Sequence, residues 1–249
     1  MTHIEQENWL EEKYNIAGVN TVMRLFEKGR TKKQALEYLC DFEGKEELFI
    51  ALTEDVLREQ QQKFPHLSFD ECEHIWTCEL FCRRLLEFGG FMLHASAVVY
   101  NGRAYLFSAP SGTGKSTHTQ LWIKAFGEDN AYILNDDKPV IRLKDGQIMV
   151  YGTPWSGKTD FNKNKGVPLQ GICFLERAKE NHIQRIDAKE AVFKILNQTI
   201  RPSDEELMSN LLQLIDCVIE NSAVFRMGCN MSLDAAHTAY NEMSKDGTV

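Results

Sequence analysis

A chain of 249 residues is long enough for one large domain or for a core with a smaller companion. Hydrophobic residues make up 43% and charged residues 26%, which excludes a disordered chain, a collagen-like repeat and a coiled-coil rod. The 28 Lys and Arg residues against 36 Asp and Glu residues give a net charge of −8. That sign is wrong for a protein whose main partner is nucleic acid or an anionic membrane.

The sequence favours a cytoplasmic protein. No apolar run approaches the ~18 residues that a membrane-spanning helix needs. Residues 1–7 are acidic, whereas a signal peptide begins with basic residues followed by an apolar stretch. We therefore expect neither a membrane nor nucleic acid among the partners of this chain.

The seven cysteines are expected to be reduced thiols, because their number is odd and a chain of this length needs no disulfide to fold. Four residues of metal-binding type lie close together, namely Cys72, His74, Cys78 and Cys82. Their spacing contains no C-x-x-C pair, and Cys72, Ile75 and Cys82 follow the period of one helix face. The pattern favours a buried helix face, with a zinc site as the alternative.

Residues 1–90 are predicted to form a mainly helical N-terminal region, and residues 91–249 an α/β domain. Ser68 and Glu71 are expected to form a capping box for one of the helices, and Thr31 to be the N-cap of another. We expect the N-terminal region to pack against the core or to receive a substrate. The predicted helices cover residues 20–28, 31–40, 45–62 and 68–88.

After residue 90 the pattern changes to short β-rich runs separated by turns. Asn101-Gly102 separates two such runs and predicts a β-hairpin. The second run, 104–108, leads into the glycine-rich segment 109–116, and residues 117–126 then have a helical pattern. A strand, a glycine-rich loop and a helix in this order are the context that a phosphate-binding loop requires.

The loop contains the residue types that bind a nucleoside triphosphate. Gly112 and Gly114 let backbone N–H groups approach the phosphates at a helix N-terminus, where the helix dipole also favours an anion. Lys115 supplies a positive charge, and Ser116 supplies a hydroxyl ligand for Mg²⁺. Ala109 replaces the first glycine of the G-x-x-x-x-G-K-[ST] pattern, and a chance glycine-rich turn is the alternative. The predicted loop ligands are Ser111, Gly112, Thr113, Gly114, Lys115, Ser116 and Thr117.

Paired acids follow the loop. Asp136 and Asp137 come directly after the apolar run 131–135, where a metal-holding strand would end. One carboxylate is expected to bind Mg²⁺ with Ser116, and the other to orient or deprotonate an attacking hydroxyl. The sequence leaves the two roles open, and Asp137 is a candidate for both. An acid pair that caps a strand-to-turn junction is the alternative.

His94 lies on the predicted strand 91–100, ahead of the hairpin. Antiparallel pairing places this strand beside the one that leads into the loop, so the imidazole can approach the acid pair. We expect His94 to orient Asp136 or Asp137 or to tune its charge. A histidine buried in the core is the alternative.

His94, the hairpin, the glycine-rich loop and the acid pair resemble the catalytic domain of HPr kinase/phosphorylase. That bacterial serine kinase has a P-loop fold related to ATP-dependent phosphoenolpyruvate carboxykinase. The resemblance covers residues 91–140. It implies an α/β P-loop kinase core of this type, in which an aspartate is the general base, the histidine supports it and Mg²⁺ bridges the phosphates of ATP.

Two departures limit what the resemblance implies. The chain has Thr117 where HPr kinase has an acid directly after the loop serine, so phosphorolysis is not carried over. Residues 152–158 replace the segment that contacts the partner protein in that family, so HPr is not carried over as the substrate. The chain is more similar to HPr-kinase-like proteins encoded beside peptide-modification genes, some of which phosphorylate a peptide serine.

Two further positions are candidates for nucleotide contacts. Residues 152–165 form a cationic stretch in an acidic chain, and Lys158 is the expected phosphate ligand there. Trp155 is expected either to stack on a base or to be buried under a solvated loop. Arg177 follows the apolar run 168–175, at a strand terminus where binding sites form.

The last third of the chain has an architectural pattern. Helices are predicted over 187–197, 203–220 and 232–244, and a strand over 223–227.

The whole sequence predicts a kinase that uses ATP and Mg²⁺ to phosphorylate a hydroxyl, on a serine of a protein or peptide. The alternatives are a small-molecule kinase of the carboxykinase-related branch and an ATP-binding sensor or assembly module. A homo-oligomer is compatible with the sequence.

Overall fold

The computed structural model describes residues 8–245 and shows a mixed α/β protein with two β-sheets. The strands are β1 (Trp9–Ile16), β2 (Val19–Phe26), β3 (Leu48–Ala51), β4 (Gly90–Met92), β5 (Ala95–Tyr100), β6 (Arg103–Ser108), β7 (Ala131–Asn135), β8 (Val140–Lys144), β9 (Gln147–Tyr151), β10 (Gly166–Arg177), β11 (His182–Arg185) and β12 (Ala223–Cys229). The helices are α1 (Arg30–Gln34), α2 (Glu54–Lys63), α3 (Phe69–Leu85), α4 (Lys115–Phe126), α5 (Ala188–Leu196), α6 (Glu205–Asn221) and α7 (Leu233–Met243). Within residues 8–245, no helix has both the length and the apolar character needed to pass through a membrane.

A three-stranded sheet of β1, β2 and β3 occupies part of the region predicted to be helical. The helix predicted over residues 20–28 is wrong, because β2 pairs there with β1 as a hairpin. Ala17 and Gly18 both have positive φ, 53° and 78°, as a two-residue hairpin turn requires. Thr21, Met23 and Leu25 are buried at alternate positions, and this packing overrides local helix propensity.

Two other predicted helices also need correction. The helix predicted over 45–62 divides into β3 and α2, and Thr53 is the N-cap of α2. The helix predicted over 31–40 is shorter, because α1 ends at Gln34. Its N-cap is Gly29 and not Thr31 as predicted, since Thr31 lies buried within the helix. The N-terminal layer, meaning the described residues before β4, therefore contains helices together with a three-stranded sheet that the sequence did not predict.

The fourth predicted helix is confirmed as α3. Ser68 Oγ accepts a hydrogen bond from the Glu71 N–H at 3.1 Å, and Glu71 Oε2 accepts one from the Ser68 N–H at 2.9 Å, which is the predicted capping box. Ile75 is 42% exposed and does not belong to the buried face as predicted, because it faces two of the clefts described below. The buried residues of α3 include Cys72, Cys78 and Cys82.

The second sheet has nine strands and carries the predicted site. Its order is β4-β8-β9-β10-β6-β5-β7, with β12 beside β10 and β11 beside β12. The first residues of β10 pair with β9, and its later residues pair with β6 and β12, so the sheet curls along this strand. The predicted hairpin at Asn101-Gly102 joins β5 to β6, and both turn residues have positive φ.

Helices cover both faces of this sheet. α5 and α6 pack on one face through Ile195 and Ile215, and α4 and α7 pack on the other through Trp122 and Ala239. A further hydrophobic cluster joins β1, β2, β3 and α3 to β4, β8, β9 and Trp155. The N-terminal layer is therefore packed against the core, and hydrophobic contacts continue across the boundary predicted at residue 90.

The later predicted elements agree with the structure to within a few residues. The strand predicted over 168–175 lies within β10, and that predicted over 223–227 lies within β12. α5 and α7 match their predicted ranges to within one residue at each end, and α6 begins two residues later than predicted, after its N-cap Asp204. These segments are strongly periodic and are flanked by capping residues, which makes them predictable from local sequence.

Candidate active site

The glycine-rich loop joins β6 to α4, in the predicted order of strand, loop and helix. Gly112 and Gly114 have φ of 78° and 119°, values that an L-residue with a side chain rarely adopts. A Cβ atom added at either glycine would have no atom within 4 Å, so both face open space. The loop thus presents an uncovered backbone at the N-terminus of α4, where N–H groups and the helix dipole favour an anion.

Lys115 is the first residue of α4 and folds back along the loop. Its Nζ donates a hydrogen bond to the Ala109 carbonyl at 3.0 Å and lies 3.1 Å from His94 Nε2. Burial lowers the pKa of the Lys115 amine, although the carboxylate of Asp137 acts in the opposite direction. Ala109 is buried at the position of the missing first glycine, and its backbone carbonyl still holds the lysine.

His94 lies in the break between β4 and β5, and not within one continuous strand as predicted. Its N–H donates to the Gln198 carbonyl at 2.7 Å, and its Nδ1 lies 3.0 Å from Gln198 Oε1. His94 Nε2 lies 3.2 Å from Asp137 Oδ1. Gln198 therefore holds both the backbone and the ring of His94, and the ring reaches the acid pair as the sequence suggested.

The position of Asp136 is fixed by short polar contacts at the end of β7. The carboxylate is 5% exposed, and its Oδ1 accepts a hydrogen bond from Ser96 Oγ at 2.6 Å. Ser96 Oγ also lies 2.8 Å from Thr119 Oγ1 on α4. Asn135 Oδ1 accepts hydrogen bonds from the N–H groups of Asp137 and Lys138, which shapes the turn after the strand.

Asp137 is paired at both carboxylate oxygens. Oδ1 faces His94 Nε2, and Oδ2 accepts a hydrogen bond from Lys138 Nζ at 2.9 Å. Burial is the largest single effect and favours the neutral acid, but His94 and Lys138 together outweigh it and lower the pKa of Asp137 to about 2. Asp137 is therefore ionised at neutral pH.

One cleft of about 760 Å³ brings these groups together. Its floor is the glycine-rich loop with the acid pair and His94, and its opposite wall comes from the N-terminal layer and the segment after β9. Three of its lining side chains are Lys or Arg, namely Arg30, Lys115 and Lys158. Arg30 and Lys158 also lie near enough to Glu71 to act on its carboxylate. The residues lining the cleft are Arg30, His66, Leu67, Glu71, His74, Ile75, His94, Ser111, Gly112, Gly114, Lys115, Ser116, Thr117, Asp136, Asp137, Ser156, Gly157, Lys158 and Thr159.

The segment after β9 contributes Lys158, the expected phosphate ligand, to the lining of the cleft, whereas Trp155 is buried away from it. Trp155 is 1% exposed, its ring lies 5.1 Å from that of Phe81, and its Nε1 donates to Thr77 Oγ1 at 3.2 Å. The indole therefore anchors this segment to α3. Gly157 has φ of 68°, and an added Cβ would lie 3.0 Å from the Asp137 side chain, so the segment passes close to that acid.

Arg177 does not line this cleft. Its Nη2 donates to the Gly112 carbonyl at 2.6 Å, on the side of the loop that borders a second cleft of about 470 Å³. Gly112, Gly114 and Thr117 line both clefts, so the loop forms the ridge between them. Thr113 lines the second cleft but not the first.

The oxygen atoms at the loop are of the type that binds Mg²⁺. Ser116 and Asp136 both line the first cleft, and Asp136 uses one oxygen for Ser96 while both oxygens of Asp137 have partners. Among the described residues, no group of three or more His, Cys, Asp or Glu side chains could enclose a metal ion. Ser116 and Asp136 could hold Mg²⁺ only together with oxygen ligands from outside the protein, because Mg²⁺ takes six ligands.

Comparison with protein families gives a match that covers most of the cleft. Residues 68–231 match the model of the family described as SynChlorMet cassette protein ScmC. The chain belongs to this family. The matched segment includes every residue that lines the first cleft except Arg30, His66 and Leu67.

Comparison with solved structures and with curated proteins adds only a distant similarity. A solved structure of the Hpr(Ser) kinase/phosphatase from Coxiella burnetii aligns with 50% of this chain and 93% of that chain, at 12% identity and a TM-score of 0.30. This is a weak relation between folds and carries no conclusion about activity. The comparison with curated proteins gives no match.

Sequence reasoning missed the cleft residues that come from outside the motif. Arg30, His74 and Ile75 belong to the N-terminal layer and form the wall that faces the loop. Gln198 lies 104 residues from the histidine that it holds. No local pattern connects any of these residues with the loop or with His94, and their proximity to the site follows from tertiary packing alone.

Proposed function

We propose that this ScmC family member is a kinase that transfers the γ-phosphoryl group of ATP to a hydroxyl, on a serine of a protein or peptide. The observation that supports this most directly is the cluster of Lys115, His94 and Asp137, which lines one cleft with the uncovered glycine loop. A site that only binds nucleotide needs the loop and the lysine. It does not need an ionised carboxylate oriented by a histidine.

The loop side of the cleft suits a polyphosphate. The loop amides and the N-terminus of α4 would bind phosphate oxygens, and Lys115 would leave the Ala109 carbonyl for the β- and γ-phosphates. Lys158 faces the same space from the opposite wall and would stabilise charge on the transferring group. In a chain of net charge −8, this local concentration of cations is what would attract a triphosphate.

We assign the role of Mg²⁺ ligand to Asp136. The candidate from sequence was Asp137. Asp136 keeps one carboxylate oxygen without a hydrogen bond to Ser96, and Ser116 supplies a hydroxyl in the same cleft. Both oxygens of Asp137 already face His94 and Lys138. When bound, Mg²⁺ would neutralise charge on the phosphates, and Ser116 and Asp136 would hold it.

Asp137 is the proposed proton acceptor. The hydroxyl oxygen attacks the γ-phosphorus, the bond from that phosphorus to the bridging oxygen of ADP breaks, and the hydroxyl proton passes to Asp137. The low pKa in the free protein depends on His94 and Lys138.

The second cleft is the proposed location of the nucleoside. A triphosphate that lies on the loop must extend past one side of it, and the first cleft is needed for the acceptor. The second cleft shares Gly112, Gly114 and Thr117 with the first and adds Arg177 at its edge. Arg177 would contact the base or the ribose, which gives this residue the nucleotide role expected from sequence.

The test is transfer of label from γ-labelled ATP by wild type and by Lys115→Met, with Lys124→Met as the matched control. Lys124 is an exposed lysine of the same helix, so its loss removes an equal charge away from the loop. We expect Lys115→Met to lose transfer by a factor of roughly 100 or more and to remain folded, and Lys124→Met to resemble wild type. Full transfer by Lys115→Met contradicts the proposal, and label in a soluble acid supports a metabolite kinase instead.

A further inference from the structure

A third cleft, of about 360 Å³, lies beside the first on the side of Asp137 away from the glycine loop. His74, Ile75 and Asp137 line both clefts, whereas no residue of the loop lines the third. The third cleft therefore opens directly onto the carboxylate that we propose as the base. It is separate from the surfaces that would hold the phosphates and the nucleoside.

The walls of the third cleft are mainly apolar. They come from α3, from β4, from the segment that carries Trp155, and from the loop after α5. The charged side chains at this cleft already have partners, since Glu79 bonds to Arg83 and Lys138 bonds to Asp137. The apolar and weakly polar residues are Ile75, Cys78, Met92, Trp155 and Ile200.

These properties make the third cleft unsuited to a small anionic metabolite. Such a ligand needs a cation without a partner, but Lys138 is engaged with Asp137. Burial, assisted by the charge of Arg30, lowers the pKa of His74 to about 4, so this imidazole is neutral at physiological pH. The cleft instead offers burial for an apolar side chain, and its volume lies at the small end of the range for ligand pockets.

The position of the third cleft indicates which part of an acceptor it would hold. In phosphoryl transfer the attacking oxygen approaches the phosphorus opposite the leaving oxygen, so the acceptor must come to Asp137 from the side away from the loop. The third cleft lies on that side. Whatever is bonded to the attacking hydroxyl group must then lie in or beside this cleft.

We infer that the third cleft binds an apolar side chain that neighbours the phosphorylated hydroxyl residue of a peptide acceptor. This inference rests on the proposed kinase function and adds to it a rule for substrate choice. The preference would arise from burial of the apolar side chain against Ile75, Met92 and Ile200. The N-terminal layer would act as part of the acceptor site, because Ile75 belongs to α3.

The experiment uses the full chain, Mg²⁺ with γ-labelled ATP, and a positional-scanning library of short serine peptides. We expect wild type to prefer Leu, Ile, Met or Phe over Gly at one position beside the serine, by roughly tenfold or more in kcat/KM. Ile200→Ser should reduce that ratio to near one. Ile75→Ser should do the same, and its side chain is already partly exposed, so its folding is not at risk.

Phe193→Ser is the matched control, because Phe193 is 60% exposed on α5 and lines none of the three clefts. It should keep the wild-type ratio. A ratio near one in wild type, or an unchanged ratio in both cleft variants, overturns the inference and leaves the kinase proposal standing. A protein that binds Mg²⁺ and ATP but labels no peptide contradicts the peptide kinase itself, and the inference with it.

Discussion

The charge state of Asp137 shows how single residues set the chemistry of this cleft. Burial alone would favour the neutral acid, which accepts no proton, but His94 and Lys138 keep the carboxylate ionised with a pKa of about 2. The two partners act differently, because Lys138 brings a positive charge, whereas His94 is an imidazole whose orientation Gln198 fixes. The residue that we propose as the proton acceptor is therefore ionised and is held by a partner at each carboxylate oxygen.

Gln198 is predicted to act through His94 as a positioning residue. Gln198→Ala removes the amide that faces His94 Nδ1, so the ring can rotate away from Asp137. We expect kcat to fall roughly 10- to 100-fold with little change in KM for ATP, because the loop is untouched. Steady-state kinetics measure this, with Gln213→Ala, an exposed glutamine of α6, as the control. An unchanged kcat shows that His94 needs no such support.

At the scale of elements, α3 serves both the core and the cleft. One side of the helix carries buried residues such as Cys78 and Phe81, while Ile75 and Glu71 line the first cleft. His74 is buried between these two sides, with its Nδ1 3.2 Å from Thr31 Oγ1 of α1. Both the packing of the N-terminal layer and the wall of the site therefore depend on one helix.

The pH dependence of stability is predicted to depend on His74. Its pKa is about 4 in the folded chain because burial disfavours the charged ring, as does the charge of Arg30, and the opposing charge of Asp137 does not compensate. The unfolded chain has a histidine pKa of about 6.5, so it binds more protons than the folded chain between pH 6.5 and 4. The contribution of His74 is therefore present above pH 6.5 and is lost as the pH falls towards 4.

Urea unfolding at several pH values measures this contribution. We expect His74→Phe to be less stable than wild type at pH 7 by about 1 kcal/mol, because the contact with Thr31 is lost. Between pH 7 and pH 5 its free energy of unfolding should fall less than that of wild type. His237→Phe, at an exposed histidine, should follow the wild-type slope. If the free energy of unfolding falls with pH equally in wild type and in His74→Phe, the prediction for His74 is wrong.

For the whole molecule, the N-terminal layer and the curled sheet share one packed interface. Trp155 lies at its centre, between the segment that carries Lys158 and the helix α3. The wall that faces the glycine-rich loop is therefore positioned by hydrophobic packing and not by the loop motif. A change at this interface should alter stability first and nucleotide contacts only indirectly.

Trp155→Ala tests that distinction. Removing a buried tryptophan leaves a cavity, and we expect the free energy of unfolding to fall by about 3–5 kcal/mol. Chemical denaturation measures this loss, and calorimetric titration measures the affinity of the folded variant for ATP. Weaker ATP binding with unchanged stability would instead support the base-stacking role that the sequence left open.

The elements that could be predicted are those determined by residues close together in the sequence. The loop from Ala109 to Ser116, the hairpin at Asn101-Gly102 and the helices with clear capping residues follow from local pattern. The strand β2 was not predictable, because its burial depends on β1 and on the core beneath it. The wall residues Arg30 and Ile75 were not predictable either, since only the folded chain brings them opposite the loop.

The main mechanistic claim made here is that Asp137 accepts the proton of the hydroxyl that ATP phosphorylates in this cleft. The most direct measurement is single-turnover transfer of γ-labelled phosphate by Asp137→Asn, at a saturating concentration of Mg²⁺ and ATP, with the exposed turn variant Asp145→Asn as the control. We predict that Asp137→Asn binds ATP normally and loses transfer by roughly 100- to 10,000-fold, as expected for loss of a general base. Transfer at the wild-type rate by a folded Asp137→Asn protein would contradict the claim.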